Sequence, residues 1–325
     1  MRKLLALLLC LAAVPLAVPL AQAKDMRAAV VTEGGGVKVQ AVPIPEPQAG
    51  QVRIRVRAVS VNPVDWKLAA HAPAGTIPGR DLSGVIDAVG PDAGPWKPGQ
   101  PVIAVGVTGT YAEYVLASAT ALAAKPQRLS FEEAAGLPVV GETAWRAMVT
   151  VANVQPGQKV LIHGGAGGVG SMAVQIAHAR GAQVITTASA DHADFVRQLG
   201  AKQVIDYHTV RFEDQVKDAD VVLNTVDADT AARSIKVLKP GGMLVSVAGD
   251  PPQEACTAAK VRCGITGHAT GEMLKHVSEL AEQGKLSVHI DRKVSMDEVA
   301  QAWALSKQGH VGGKVIIEVS PASAP

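Results

Sequence analysis

Apolar and charged residues alternate in the N-terminal part of the chain, in short runs separated by glycine and proline. In the clearest run, residues 52–59, valine, isoleucine and alanine positions alternate with arginines. That period buries one face of a strand and leaves the other face in water. Strands are predicted at 27–31, 52–59, 83–89, 101–105 and 112–117. Turn residues recur between them, which predicts a small antiparallel, barrel-like domain.

The pattern changes near Ser130, a predicted N-cap, and after Pro156-Gly157 short apolar runs alternate with amphipathic ones. Helices are predicted at 131–136, 141–150, 169–180, 192–199, 231–238, 271–284 and 297–306. Strands are predicted at 159–163, 183–187, 203–205, 221–225, 243–248 and 314–319. Strands that alternate with helices indicate a parallel sheet covered on both faces, so the predicted fold class is α/β with a doubly wound sheet.

A glycine-rich segment, residues 164–170, follows the first strand of this second region and opens a helix. Gly165, Gly167 and Gly170 have the spacing of a dinucleotide-binding loop. In such a loop the first glycine permits the tight turn, the second admits a pyrophosphate, and the third lets helix and strand pack closely. A glycine-rich turn without a ligand is the alternative, which the strand–loop–helix context disfavours. The predicted cofactor contacts are Gly165, Ala166, Gly167, Gly168, Val169 and Gly170.

The end of the second parallel strand bears on which dinucleotide binds. An NAD site usually carries an acid there, about 20 residues beyond the loop, to bind the ribose hydroxyls. Ala188 stands at about that place, so a 2′-phosphate would meet no repulsion, and the Ser189 hydroxyl can donate to it. His192 and Arg197 could add positive charge, whereas Asp191 argues against this choice. These residues predict NADPH rather than NADH.

The first 23 residues have the pattern of an export signal. Arg2 and Lys3 precede an apolar stretch over 4–20, and Ala21-Gln22-Ala23 gives a small-x-small cleavage pattern. A membrane anchor is the alternative, but prolines interrupt the stretch, and a span needs about 20 apolar residues. We therefore expect a cleaved signal, no stable membrane span after cleavage, and a periplasmic or secreted protein.

Charge and cysteine content limit the other possible partners. The formal charge is +2 and becomes zero without Arg2 and Lys3, and the charged residues form no basic stripe. No nucleic acid partner is therefore predicted.

Cys256 and Cys263 would remain after cleavage, and an oxidising compartment makes them a disulfide candidate. Two reduced thiols are the alternative. Because only His268 lies nearby in the sequence, no metal site is predicted there.

Motifs along the chain resemble those of the medium-chain dehydrogenase/reductase superfamily, in particular its zinc-free quinone oxidoreductase branch. The motifs cover 61–65, 78–85, 109–115, 137–138 with 143–145, the glycine loop, 204–207 and 309–314. The resemblance implies a GroES-like, mainly β domain over 26–147 with 286–325, and a Rossmann NADP-binding domain over 148–285. Relatives usually form dimers or tetramers, which implies a homodimer.

The resemblance also implies site residues. Asn62 and Thr143 would lie near the nicotinamide as the catalytic residues, with Tyr207 near the adenosine phosphate. The remaining implied cofactor contacts are Asn224, Val247, Ala248, Gly249 and Lys314. Zinc relatives bind metal through a cysteine and a Gly-His-Glu segment, where this chain has Asn62 and Gly79-Arg80-Asp81. Neither asparagine nor arginine replaces a thiolate or imidazole ligand, so we predict no metal.

Two functions remain open from the sequence. The first is NADPH-dependent hydride transfer to a quinone or an α,β-unsaturated carbonyl, with catalysis through positioning in a dry cleft. The second is an exported NADP(H)-binding or sensing protein with little turnover, which the export signal favours. The sequence identifies no general acid. Asp81 fits a structural acceptor better than a proton relay. Tyr111 could donate a proton, but its neighbours in the resemblance suggest packing at the barrel edge. Lys67 fits a site residue and a solvated lysine equally well.

Overall fold

The computed structural model describes residues 24–267, 270–309 and 311–319. The expected export signal, residues 1–23, lies outside the described residues. Within the described ranges no helix combines the length and apolarity that a membrane crossing requires.

A seven-stranded, mainly antiparallel sheet forms the first layer, and it combines strands from both ends of the chain. Its long strand β3 pairs with three others, and the predicted alternation of buried and half-buried residues along it is confirmed. The strands are β3 (Gln51–Ser60), β4 (Asp81–Val89), β5 (Pro101–Val105), β6 (Tyr114–Ser118), β7 (Leu122–Ala124), β14 (Ile290–Ser295) and β15 (Lys314–Glu318). A separate hairpin of β1 (Asp25–Val31) and β2 (Val37–Pro43) joins this layer through a bridge between Ala28 and Ala112.

The second layer is a six-stranded sheet in which all strands are parallel. Its strands are β8 (Lys159–Ile162), β9 (Gln183–Ala188), β10 (Gln203–Asp206), β11 (Ala219–Asn224), β12 (Leu238–Ser246) and β13 (Arg262–Ile265). Their order is β10-β9-β8-β11-β12-β13. This is the doubly wound Rossmann order, which reverses direction between β8 and β11 and places ligands at the carboxyl ends of those strands. The predicted α/β fold is confirmed.

Ten α-helices lie in the described ranges. They are α1 (Pro63–Ala69), α2 (Phe131–Ala135), α3 (Pro138–Trp145), α4 (Gly168–Ala179), α5 (Ala193–Gln198), α6 (Phe212–Gln215), α7 (Ala228–Ser234), α8 (Gln253–Ala258), α9 (Gly271–Glu282) and α10 (Val299–Gln308). Ser130 caps α2 as predicted, because its hydroxyl accepts from the Glu133 amide while the Glu133 carboxylate accepts from the Ser130 amide.

Several predicted boundaries were wrong. The helix expected at 141–150 begins earlier, as α3, and continues from Arg146 to Val151 as a π-helix. The helix expected at 231–238 is α7, and Leu238 already belongs to β12. The strand β2 was missed although apolar and polar residues alternate over 37–41; neither of its faces is fully buried in the structure.

A disulfide joins Cys256 of α8 to Cys263 of β13. The sequence left open whether these cysteines are joined or reduced, and the structure has them joined. The bond ties the edge strand of the parallel sheet to the helix that precedes it.

Candidate functional site

The glycine loop lies between β8 and α4. At two of its glycines, neighbouring atoms pack so closely that no side chain fits. A Cβ on Gly165 would collide with the Thr186 hydroxyl of β9, and one on Gly170 would collide with the Gly164 carbonyl oxygen. The left-handed residue of the turn is Gly164, with φ +68°. The tight turn therefore depends on Gly164, one residue before the position expected from the motif.

Gly167 differs from the other two motif glycines because an added Cβ there would make a tight contact rather than a collision. An added Cβ would meet only the Gly164 oxygen, at 3.3 Å. Gly167 is also the N-cap of α4, and no side chain caps that helix. The first amide groups of a helix have no acceptor within the helix. They form a cradle for an anion, and the residues present fit a dinucleotide pyrophosphate.

The carboxyl end of β9 brings together two of the residues expected beside the adenosine ribose. Ala188 is buried, and the Ser189 hydroxyl lies 2.9 Å from Nδ1 of His192. Arg197, which the sequence also suggested, instead pairs with Asp194 at 2.8 Å on the exposed side of α5. The polar side chains at this corner are therefore those of Ser189 and His192, together with the exposed Asp191, the acid that argues against NADPH.

Tyr207 follows β10, and its side chain is 52% exposed. Its ring centroid lies 4.2 Å from that of His208. The exposed ring at the carboxyl end of a parallel strand is available to stack on a nucleoside, which agrees in position with the predicted role. The contact itself stays a prediction.

Asn224, at the end of β11, has a structural environment that the sequence did not indicate. Its side chain is fully buried, and Nδ2 donates to the Asp227 carbonyl at 2.8 Å and to the Ser246 hydroxyl at 3.0 Å. Its Oδ1 accepts from the Val226 amide at 3.2 Å. Asn224 thus holds the loop ends together. The neighbouring predicted contacts, Val247, Ala248 and Gly249, range from half-buried to exposed.

Asn62 lies in a buried polar network at the N-terminus of α1. Its Oδ1 accepts from Nζ of Lys314 at 2.8 Å, and its Nδ2 donates to Asp81 at 3.1 Å. The Ser60 hydroxyl donates to the same Asp81 oxygen at 2.8 Å. Asp81 is a structural acceptor, as the sequence suggested. The structure also places Lys314 beside Asn62. The sequence had given these two residues different roles, Asn62 as a catalytic residue and Lys314 as a cofactor contact.

Asp65 extends this network towards Tyr111. Its Oδ2 accepts from the Asn62 amide at 2.8 Å and from the Tyr111 hydroxyl at 3.0 Å. Burial, together with the nearby charge of Asp81, raises the pKa of Asp65 to about 7. Burial also lowers the pKa of Lys314, although the two carboxylates oppose that shift. Tyr111 is fully buried, so its predicted packing role is confirmed.

Thr143 is half-buried on α3, and its hydroxyl donates to the Val139 carbonyl at 2.6 Å. The same helix contacts the glycine loop: a Cβ on Gly168 would lie 3.0 Å from Val140 and 3.1 Å from Cδ of Lys314. The start of α4, the middle of α3 and the start of β15 therefore meet at one point. This arrangement brings the glycine loop close to the Asn62 network, while the proximity of Thr143 to a nicotinamide stays a prediction.

Two buried titratable residues near this region were not singled out from the sequence. Glu142 accepts from the Thr270 amide, and burial raises its pKa to about 7. His163 lies 3.0 Å from the Ser234 hydroxyl, and burial lowers its pKa to about 4. His163 follows an apolar strand and Glu142 lies inside a largely apolar helix, and no motif distinguishes either from an ordinary core position.

The chain matches two family descriptions: "Alcohol dehydrogenase GroES-like domain" over residues 48–127 and "Zinc-binding dehydrogenase" over 199–317. A 2-methylene-furan-3-one reductase from Solanum lycopersicum is 35% identical over 320 residues, which cover 91% of this chain and 80% of that protein. The chain belongs to the medium-chain dehydrogenase/reductase superfamily, in its quinone oxidoreductase branch. It is therefore an oxidoreductase of a superfamily that binds nicotinamide cofactors.

Further similar proteins agree with this assignment. An NADPH-dependent alkenal/one oxidoreductase from chloroplasts of Arabidopsis thaliana is 34% identical over 322 residues, 92% of this chain and 81% of that protein. The solved structure of a quinone oxidoreductase from Coxiella burnetii superposes with a TM-score of 0.84 at 34% identity, covering 91% of this chain and all of that one. The predicted superfamily and the GroES-like N-terminal domain are confirmed.

Proposed function

We propose that this protein is an NADPH-dependent reductase that transfers hydride to a quinone or to an α,β-unsaturated carbonyl without a metal ion. The observation that carries the proposal is the uncapped start of α4 at Gly167, next to strand β9, which ends in Ala188 where an NAD site carries an acid and is followed by Ser189 and His192. The similarity to an alkenal/one oxidoreductase and to a quinone oxidoreductase supports the acceptor class.

The residues that would hold the cofactor follow from these positions. The amides of 168–170 would bind the pyrophosphate, Ser189 and His192 the 2′-phosphate, and the exposed ring of Tyr207 the adenosine. When bound, reduced nicotinamide supplies a hydride to a carbon of the acceptor. The chain contributes the positioning of both partners and a site with little water.

Independence of metal rests on the chemistry of the available side chains. Asn62 has its amide oxygen occupied by Lys314 and its amide nitrogen by Asp81. Arg80 is a cation, and neither side chain replaces a thiolate or imidazole. Within the part of the chain that the structure describes, no group of three His, Cys, Asp or Glu side chains could hold a metal ion.

The decisive experiment follows the absorbance of NADPH with purified protein, in separate reactions with 1,4-benzoquinone, a naphthoquinone and 2-cyclohexenone. Turnover that survives treatment with a chelator supports the proposal. Tight NADPH binding without oxidation by any of the three acceptors contradicts it and favours an NADP(H)-binding or sensing protein. Elemental analysis of the active protein provides the check on metal content.

Export and a homodimer remain further proposals. The N-terminal pattern over 1–23 supports export, and the resemblance to dimeric relatives supports the homodimer. Fractionation of cells that express the full chain, with mass spectrometry of its N-terminus, tests the first. Light scattering of the purified protein tests the second.

A further inference from the structure

Arg80 stands between two residues whose positions are fixed by packing. Gly79 before it has φ +103°, and a Cβ there would collide with Thr110 and Tyr111. Asp81 after it is fully buried and bound to Ser60. The backbone of Arg80 is therefore held rigidly beside the Asn62 network, which is the geometry that a binding residue needs.

Among the residues that the structure describes, none is a partner of the Arg80 guanidinium group, although Arg80 is half-buried. No hydrogen bond or ion pair of Arg80 occurs with any other residue in the described ranges. Other half-buried arginines are paired: Arg53 binds Asp87 at 2.7 Å, and Arg233 binds Glu213 at 2.7 Å. A partly desolvated charge without a partner is costly, and this makes it a candidate ligand-binding group.

Arg80 lines a small cavity together with Asp65, and its volume is about 130 Å³. Oδ1 of Asp65 is buried and has no hydrogen-bond partner in the described part of the chain. The surrounding wall is largely apolar and includes Leu68, Ala72 and Ile77. Drug-sized ligands need cavities of roughly 300 Å³ or more. This one therefore suits the polar end of an acceptor that extends outwards.

The chemistry of the two polar residues limits what that end can be. A permanent anion would be drawn to Arg80 but repelled by the Asp65 carboxylate. An oxyanion that develops on a carbonyl oxygen would meet the same opposition from an ionised Asp65. Burial raises the pKa of Asp65 to about 7, and Oδ2 already accepts two hydrogen bonds. The protonated form therefore carries its hydroxyl on the unpartnered Oδ1, where it can donate to a carbonyl oxygen beside Arg80. When hydride adds to the β-carbon of a conjugated carbonyl, the electron pair of the carbon–carbon double bond forms a new double bond to the carbonyl carbon, and the electron pair of the C=O double bond moves onto the oxygen. A proton from water then completes the product.

We propose that the cavity between Arg80 and Asp65 binds the carbonyl oxygen of the acceptor, and that Arg80 donates hydrogen bonds to it as negative charge develops there. The inference rests on the proposed function and adds to it the residue that recognises the acceptor. Removal of one preorganised donor to a developing oxyanion costs about 10²–10³ in kcat. Arg80 then supplies charge stabilisation of the kind that a Lewis-acidic metal gives elsewhere.

The test compares the wild type with Arg80→Gln, Arg80→Lys and the control Arg292→Gln, which makes the same change on exposed β14. Two quantities are measured: kcat and KM with 2-cyclohexenone, and the dissociation constant of 2-cyclohexenone from the NADP⁺ complex by tryptophan fluorescence. The second needs no turnover. The dissociation constant of NADPH is measured for every variant, as a check that the cofactor site is intact.

We expect Arg80→Gln to lower kcat/KM about 100-fold and to weaken binding of 2-cyclohexenone, while NADPH affinity changes less than about twofold. Arg80→Lys should recover part of the loss, and Arg292→Gln should match the wild type. Equal kcat/KM and equal 2-cyclohexenone affinity in Arg80→Gln and wild type would overturn the inference and leave the reductase proposal standing. Failure of the wild type to oxidise NADPH would instead contradict the proposed function. Wild-type protein that binds no 2-cyclohexenone in the NADP⁺ complex would also overturn the inference.

Discussion

Nζ of Lys314 donates a 2.8 Å hydrogen bond to Oδ1 of Asn62, and the two residues are 252 positions apart in the chain. The bond joins the first residue of β15 to the N-cap of α1. Lys314 is 5% exposed, and its charge acts on the buried Asp81. One cation therefore supports the asparagine and offsets a buried carboxylate.

Lys314→Met should destabilise the protein strongly. Loss of one partner from a buried charge network typically costs about 3–5 kcal/mol, because the remaining carboxylate is left uncompensated. Urea denaturation at neutral pH measures the change. Lys293→Met is the matched control, since Lys293 is 49% exposed and its pair with Glu318 spans 3.8 Å. It should change stability by less than about 1 kcal/mol, and a similar loss in both variants would contradict the argument.

Gly167→Ala should separate binding from folding. The added Cβ would meet one atom, the Gly164 oxygen at 3.3 Å, so the cost to folding should be small. We expect the same Cβ to crowd a pyrophosphate bound at the start of α4. Loss of two charge-assisted hydrogen bonds at about 1.5 kcal/mol each would weaken NADPH binding roughly 100-fold. Titration calorimetry measures the affinity and thermal unfolding measures the stability.

Gly165→Ala provides the contrast, because its Cβ would collide with Thr186. Overpacking of this kind costs about 1–3 kcal/mol in stability. Retention of full NADPH affinity by Gly167→Ala would place the phosphate elsewhere.

Ala188→Asp should shift cofactor preference towards NADH. A carboxylate at the end of β9 would repel a 2′-phosphate and could bind ribose hydroxyls. We expect the ratio of NADPH to NADH affinity to fall at least about tenfold, or about 1.4 kcal/mol. Ser189→Ala should lower only the NADPH affinity. An unchanged ratio in Ala188→Asp would show that this corner does not contact the ribose.

Glu142 should make stability depend on pH in a defined window. Burial raises the pKa of Glu142 from 4.5 to about 7, so the folded state binds more protons than the unfolded state between these values. Stability should therefore fall as pH rises from about 4.5 to 7, because ionisation is easier in the unfolded chain. Glu142→Gln keeps an acceptor for the Thr270 amide and removes the titration. The difference in unfolding free energy between wild type and variant should follow this window, and a difference independent of pH would contradict it.

The disulfide between Cys256 and Cys263 should stabilise the protein modestly. A loop this short, with a separation of seven residues, corresponds to about 2–3 kcal/mol in the chain-entropy model. The double variant Cys256→Ser/Cys263→Ser should lose that amount in urea, and the loss should match the effect of reductant on wild type. Mass spectrometry before and after reduction gives the bonding state directly.

Much of the fold could be predicted because its signals are local. The strand over 101–105 has the predicted bounds, and the glycine loop opens a helix within one residue of the predicted start. Turn chemistry and hydrophobic period act over a few residues, so a single sequence contains them. The strand β2 and the π-helix after Trp145 were missed, although the sequence of β2 does carry a local alternation.

The site could be predicted only in part, since its contacts join distant segments. Asn62 and Lys314 were both expected at the site, but nothing in either neighbourhood indicates their mutual bond. Asn224 was expected over the cofactor, yet its amide is occupied by the Asp227 carbonyl and the Ser246 hydroxyl. The direction of a side chain depends on tertiary neighbours, which spacing does not encode.

The position of Lys314 has a consequence for biosynthesis. A nascent chain emerges from the ribosome with α1 and the glycine loop long before β15 is synthesised. Until then Asn62 lacks its cation, and Asp81 has no positive charge to offset it. Because domains tend to fold as synthesis proceeds, the parallel sheet can form early. The network of Asn62, Asp81 and Lys314 can form only after residues near the end of the chain have been synthesised. The site is therefore complete only when nearly the whole chain has been synthesised.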